Sequence, residues 1–158
     1  MTWDSGGVAL FDPTVFKGTD VSRIAVTMSE NGKAYIMNPN NLGEFKQGSG
    51  SIDNVLQTIV ADGAIFDGSG SFLLEGGFIY FTPIGFPASA YKLGFDSNGK
   101  TALTKVGASL QNSAGHASNG VQIVTTYQAQ AETAILWIYD VNNGLQAYSA
   151  VLDNKRIT

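Results

Sequence analysis

The 158-residue sequence contains no cysteine. That removes disulfides, thiolate metal sites and cysteine nucleophiles together. Histidine is almost absent too: His116 is the only one, so no site can draw two histidines from one chain. Charge is sparse, at 14% of residues, and no run of Lys or Arg occurs within a formal net charge of −4. A phosphate backbone needs a clustered basic surface, so nucleic acid is not an expected partner. The same lack argues against an anionic membrane surface. No apolar stretch approaches the length of a transmembrane span. The first residues, Met1-Thr2-Trp3-Asp4, have neither the basic start nor the apolar core of a signal peptide. A secreted parent would therefore imply a mature form or an excised piece. No segment carries a helical stripe sustained over three turns. The nearest is Thr101–Leu110, a candidate helix weakened by Gly107.

What is present is apolar and finely punctuated. Hydrophobic residues make up 44% of the chain, and 19 glycines divide it. This excludes a disordered chain and predicts many short elements within one domain spanning residues 1–158. Nine apolar runs stand between turn residues: Val8–Phe11, Arg23–Met28, Ala34–Met37, Val55–Val60, Phe78–Thr82, Ala90–Phe95, Val121–Tyr127, Ala134–Tyr139 and Leu145–Leu152. They are rich in the β-branched and aromatic residues that suit a pleated, half-buried surface. Asn31-Gly32, Asn98-Gly99 and Asn143-Gly144 each predict a hairpin with a type I′ turn. The fold class expected is all-β.

Three stretches resemble one another: Ala34–Gly43, Ala90–Gly99 and Leu136–Gly144. Each reads as an apolar strand with an aromatic residue, then Asn or Asp, a polar turn and a glycine. They recur at roughly 45–60 residues, the period of propeller blades and related units. An Asp or Asn at a strand end can close a turn by accepting from nearby backbone N–H groups. Two further strands before each stretch give about three four-stranded antiparallel blades.

Asn31-Gly32-Lys33-Ala34-Tyr35-Ile36-Met37-Asn38-Pro39-Asn40-Asn41-Leu42-Gly43 resembles the blade motif of quinoprotein-dehydrogenase-like (PQQ-like) β-propellers, and is closest to secreted fungal members. Glu75–Phe81 with Ala90–Leu93, and then Ala134–Asp140, are similar to the following blades. The resemblance covers most of residues 6–152. It implies a propeller, an extracellular location and binding at a central channel. It does not carry the cofactor over, because members that bind pyrroloquinoline quinone use a vicinal cysteine pair. Family rings close with six to eight blades and this chain holds about three, which leaves open edges. Two such arcs are expected to close a ring as a homodimer, or the chain to form part of a longer propeller.

The leading functional expectation is a non-catalytic binding or interaction scaffold. Two alternatives are a subunit or remnant of a quinoprotein-like oxidoreductase and a carbohydrate-binding lectin. Gly94–Thr101 matches the P-loop pattern letter for letter, but lacks the βαβ context such a loop requires. Asp96, Asn98, Asp140 and Asn142 carry oxygen atoms at alternate positions, as calcium loops do, and equally suit turns. His116, in a small-residue loop, is a candidate binding residue, as are Phe86 in Gly85-Phe86-Pro87 and Trp3. Trp137 lies in a wholly apolar run, which predicts a strand buried on both faces. Loop carboxylates at Glu44, Asp53, Asp62, Asp67 and Glu75 are potential acid–base partners that spacing alone does not pair.

Overall fold

A computed structural model describes residues 7–42, 50, 54–114 and 120–158. The structure is all-β, with antiparallel sheets and no α-helix among the described residues. All nine predicted runs contain strands. They are β1 (Ala9–Leu10), β2 (Ala25–Ser29), β3 (Lys33–Met37), β4 (Gln57–Val60), β6 (Phe78–Phe81), β7 (Pro87–Phe95), β9 (Ile123–Thr125), β10 (Ile135–Asp140) and β11 (Gly144–Ser149). Two strands were not expected, β5 (Gly70–Phe72) and β12 (Arg156–Ile157), while β8 (Thr101–Asn112) is the second arm of the hairpin expected at Asn98-Gly99 and occupies the segment also weighed as a helix. The segment read as a helix is thus β8, the longest strand. It pairs with β7 from Phe95↔Thr101 to Pro87↔Asn112, and this long-range pairing overrides a weak helical pattern.

Three sheets form: a first of order β1-β2-β3-β4, a middle of order β12-β8-β7-β6-β5, and a third of order β11-β10-β9. Among the described residues these hold four, five and three strands, in place of the uniform four expected. The fifth strand of the middle sheet is β12, which pairs parallel to β8.

Two apolar cores hold the sheets face to face. Ile79, Phe81, Tyr91 and Leu103 of the middle sheet pack with Val26, Met28, Ala34, Ile36 and Ile59 of the first. Phe78, Tyr80, Ala88 and Ala90, at alternate positions on the same strands, pack with Leu136 and Ile138 of the third. Successive residues of a strand point to opposite faces. The middle sheet is therefore a layer buried on both sides, and β6 has all four residues buried.

Polar side chains bridge the layers. Gln57 of β4 acts as a substitute backbone group: its Nε2 donates to the Leu103 carbonyl at 3.0 Å and its Oε1 accepts from Leu103 N–H at 2.7 Å. Tyr80 Oη donates to the Ala150 carbonyl at 2.6 Å. Thr101 Oγ1 donates to Asp20.

The turns depart from the type I′ expectation. That turn needs two residues at positive φ. Only the glycines, Gly32, Gly99 and Gly144, take it, at φ of 74–75°. In the first hairpin Gly32 N–H donates to Ser29 O at 2.9 Å, and Ser29 faces Lys33. This is a three-residue loop closed by a left-handed glycine. The closing role expected of Asn and Asp is present in all three stretches. Asn38 Oδ1 accepts from Asn40 N–H, Asp96 Oδ1 from Asn98 and Lys100 N–H, and Asp140 Oδ1 from Asn142 and Asn143 N–H.

The third sheet corrects the expectation for Trp137. Strand β10 alternates: Leu136, Ile138 and Asp140 are buried, while Ile135 and Tyr139 are exposed and Trp137 is half-exposed. The strand is buried on one face because its sheet ends the stack. The aligned aromatic residues are also not equivalent. Tyr91 enters the core between the first and middle sheets, whereas Trp137 lies opposite the core-facing residues of its strand.

Candidate functional site

Strands β1, β5 and β9 are each an edge strand of their own sheet, with two, three and three residues. They converge. A cavity of about 500 Å³ is lined by Leu10 of β1 and Asp12 just after it, Ser71–Leu74 at β5, and Val124 and Thr126 at β9. A second, of about 340 Å³, is lined by Gly7–Ala9, Phe66–Ser69 and Val121, the segments leading into the same three strands. Together they mark a groove that all three sheets share. Edge strands leave backbone N–H and C=O groups unpaired on one side, so the groove wall carries polar main chain as well as apolar side chains.

Two features fix this convergence. Gly70 lies so near the third sheet that a Cβ there would stand 2.5 Å from the Gln122 carbonyl oxygen. Gln122 is itself buried. With its amide oriented to satisfy both atoms, its nitrogen donates to Gly68 O at 2.9 Å and to Tyr80 O at 3.2 Å, and its oxygen accepts from Thr82 Oγ1 at 2.9 Å. A buried amide so fully used anchors β9 against β5 and β6.

The two cavities hold contrasting carboxylates, Asp12 in the first and Asp67 in the second. Asp12 is exposed, and its Oδ1 accepts from Thr14 Oγ1 at 2.7 Å and Thr14 N–H at 2.8 Å; these bonds hold its pKa below the ordinary range. Asp67 is half-buried, and burial pushes its pKa up to about 6. Nearby, Ser69 Oγ is buried with no hydrogen-bond partner among the described residues. A protonatable acid and a free hydroxyl beside exposed apolar side chains such as Val8 and Leu10 suit a small, weakly polar ligand.

Trp3 and His116, with Glu44 and Asp53, lie outside the described residues. Phe86 is 40% exposed, packs its ring against Gly63, and is not among the groove-lining residues. Asp62 pairs with Lys105 at 3.6 Å. The Glu75 backbone carbonyl accepts from Lys92 Nζ, which also sits 4.4 Å over the Phe78 ring. Of the described loop carboxylates, Asp62, Asp67 and Glu75, only Asp67 lines the groove. Ser69 and Gly70 gave no signal beyond a polar Asp-Gly-Ser-Gly-Ser run that reads as a loop.

The P-loop-like stretch is a hairpin between β7 and β8, with a strand where a helix would be needed. The Asp96 carboxylate takes the N–H groups of Asn98 and Lys100, and those bonds hold its pKa low. No group of three or more metal-ligating side chains occurs among the described residues. No described helix is long and apolar enough to cross a membrane. No protein-family model matches the chain, and no curated protein matches it.

Proposed function

We propose that this chain is a non-catalytic binding scaffold of the β-propeller type, with its ligand held in the groove between β1, β5 and β9. The observation that carries this is the convergence of three edge strands, one from each stacked sheet, on a single groove. Radial arrangements of sheets bind at the axis where first strands meet. The repeat motifs and their resemblance to PQQ-like propellers support the same reading, and carry the expectation of an extracellular location. The array is open at both ends, so it functions as an oligomer or within a longer ring. The ligand is small and neutral, because Asp12 and Asp67 place negative charge at the groove above pH 6, which opposes an anion.

The test is a backbone-amide NMR titration of the whole chain with two probe sets, neutral oligosaccharides and pyrroloquinoline quinone. Shifts clustered at Leu10, Ser71–Leu74 and Val124–Thr126 with a sugar support groove binding and favour the lectin alternative over a protein-only scaffold. The same cluster with the quinone favours the oxidoreductase alternative. Shifts confined to the Phe86 loop, or anywhere outside the groove, overturn the assignment of the site.

A further inference from the structure

A cavity of about 550 Å³ lies where β6, β7 and β8 meet the turn before β12. Lys92, Lys105 and Lys155 line it, with Phe78, Val106 and Leu152 as its apolar wall. It shares no lining residue with the two cavities of the groove. Three of the chain's nine basic residues are gathered here, although the net charge of the chain is −4. Two of their ammonium groups are free to meet a ligand. Lys92 Nζ donates to the Glu75 carbonyl and sits over the Phe78 ring, and an ammonium has further N–H bonds to give. Lys155 Nζ has no hydrogen-bond or ion-pair partner among the described residues. Lys105 stands 3.6 Å from Asp62 in an exposed pair, and Glu75 adds a carboxylate to the lining. Two acids set against three lysines leave the cavity positive.

The backbone holds Lys155 here against its ordinary preference. Arg156 N–H donates to Asp153 O at 2.8 Å, and the two residues between, Asn154 and Lys155, have φ of 46° and 65°. That is the pattern of a type I′ turn, whose second central position favours glycine. The chain puts glycine at positive φ after Asn31, Asn98 and Asn143, yet lysine after Asn154. The turn is fixed on β8. Ala108 N–H donates to Lys155 O at 3.2 Å, and a Cβ on Gly107 would stand 2.6 Å from that oxygen. Glu75, also on the cavity, has φ of 54°. Such strain persists where the surroundings enforce it, and it gathers at ligand clamps.

We propose that this cavity is a second binding site, for a small organic anion with an apolar body, an aryl or alkyl carboxylate. Its carboxylate meets Lys92 and Lys155, and its body lies on Phe78, Val106 and Leu152. Charge selects the anion, since ammonium groups outnumber acids. The wall selects the apolar body, because exposed lysines alone hold a hydrated inorganic ion weakly. The volume selects a small molecule over a polymer. The site is independent of the groove, whose carboxylates repel an anion.

An amide NMR titration of the whole chain with naphthoate tests this, with naphthylmethanol and inorganic phosphate as controls. Naphthoate is expected to give saturable shifts at Phe78, Lys92, Val106, Leu152 and Lys155, and none at Leu10 or Val124. The alcohol and phosphate should each bind at least about tenfold more weakly. Lys155→Gly should weaken naphthoate about threefold and raise the urea midpoint, because glycine relieves the turn while removing the charge. Lys155→Gln should weaken binding alike, and Glu75→Gln should tighten it. No saturable shift at the cavity up to ~10 mM naphthoate overturns the proposal. So does equal binding of the alcohol or of phosphate, or an affinity unchanged in both Lys155 variants. Shifts confined to the groove overturn it as well, and leave the groove assignment standing.

Discussion

Asp140 closes its turn with one carboxylate oxygen and reaches across the fold with the other. Oδ1 accepts from Asn142 and Asn143, and Oδ2 accepts from Ala114 N–H at 2.6 Å. Burial works to raise its pKa, but these donors outweigh it and hold the group below the ordinary carboxylate range. Asp140→Ala leaves several N–H groups unpaired, one of them buried, and is expected to lower stability by about 3 kcal/mol in urea unfolding. Asp96→Ala, in an exposed turn, should lose less than Asp140→Ala in the same measurement. A depressed folded pKa gives stability that is present above the unfolded value of 3.8 and lost as pH falls below it. Asp67 has the opposite sign. Its folded pKa, about 6, is raised, so its contribution is fully present below pH 3.8 and lost as pH rises through 6. Asp67→Asn is expected to stabilise the chain at pH 8 by about 1 kcal/mol, discounted for its partial exposure, and to have little effect at pH 4. Thermal unfolding at the two pH values checks this. Tyr80→Phe removes the donor to the Ala150 carbonyl and should cost about 1–2 kcal/mol. The turn roles of Asn38, Asp96 and Asp140 were legible in the sequence, because an Asn or Asp after an apolar run has a local use. The reach of Asp140 to Ala114 was not, because it depends on which loop folds back over the turn.

Strands were legible wherever Val, Ile, Tyr and Phe gathered between turn residues. Those missed or misread had other reasons to form. The three residues of β5 include Gly70 and Ser71, and form a strand only because β6 offers an edge to pair with. Strand β8 carries Lys105 and Gly107 in a pattern of mixed period, and its partner β7 decides its conformation. Burial was harder still. The runs in β6 and β10 look alike as sequence, yet one sits in the middle layer and the other ends the stack. An apolar run states that a strand can be covered twice; it does not state what covers it. The groove was illegible for the same reason, since it is made where short edge strands of three sheets meet. Gly70→Ala tests that meeting. Its Cβ would collide with the Gln122 carbonyl, so β5 and β9 must separate. The expected result is a loss of about 1–3 kcal/mol in urea, read as a lower midpoint with an unchanged slope.

At the scale of the molecule, three sheets stack through two apolar cores, and the middle one contributes alternate residues of the same strands to both. That arrangement places the edge strands on a common groove and, among the described residues, leaves the outer face of the third sheet exposed. It also ranks the strands by stability. Strand β6 is paired on both edges, by β5 and β7, and buried on both faces. Its amides should open only with the whole fold. Strand β9 is short, paired on one edge and exposed, and its amides should exchange through local opening. Native-state hydrogen exchange resolved by residue measures this directly. The stacked-sheet account predicts that Ile79, Tyr80 and Phe81 are among the most protected amides, with opening free energies equal to the global value, and that Ile123 and Thr125 exchange far faster. Equal, weak protection in β6 and β9 would contradict the buried middle layer, and with it the groove that the layer positions.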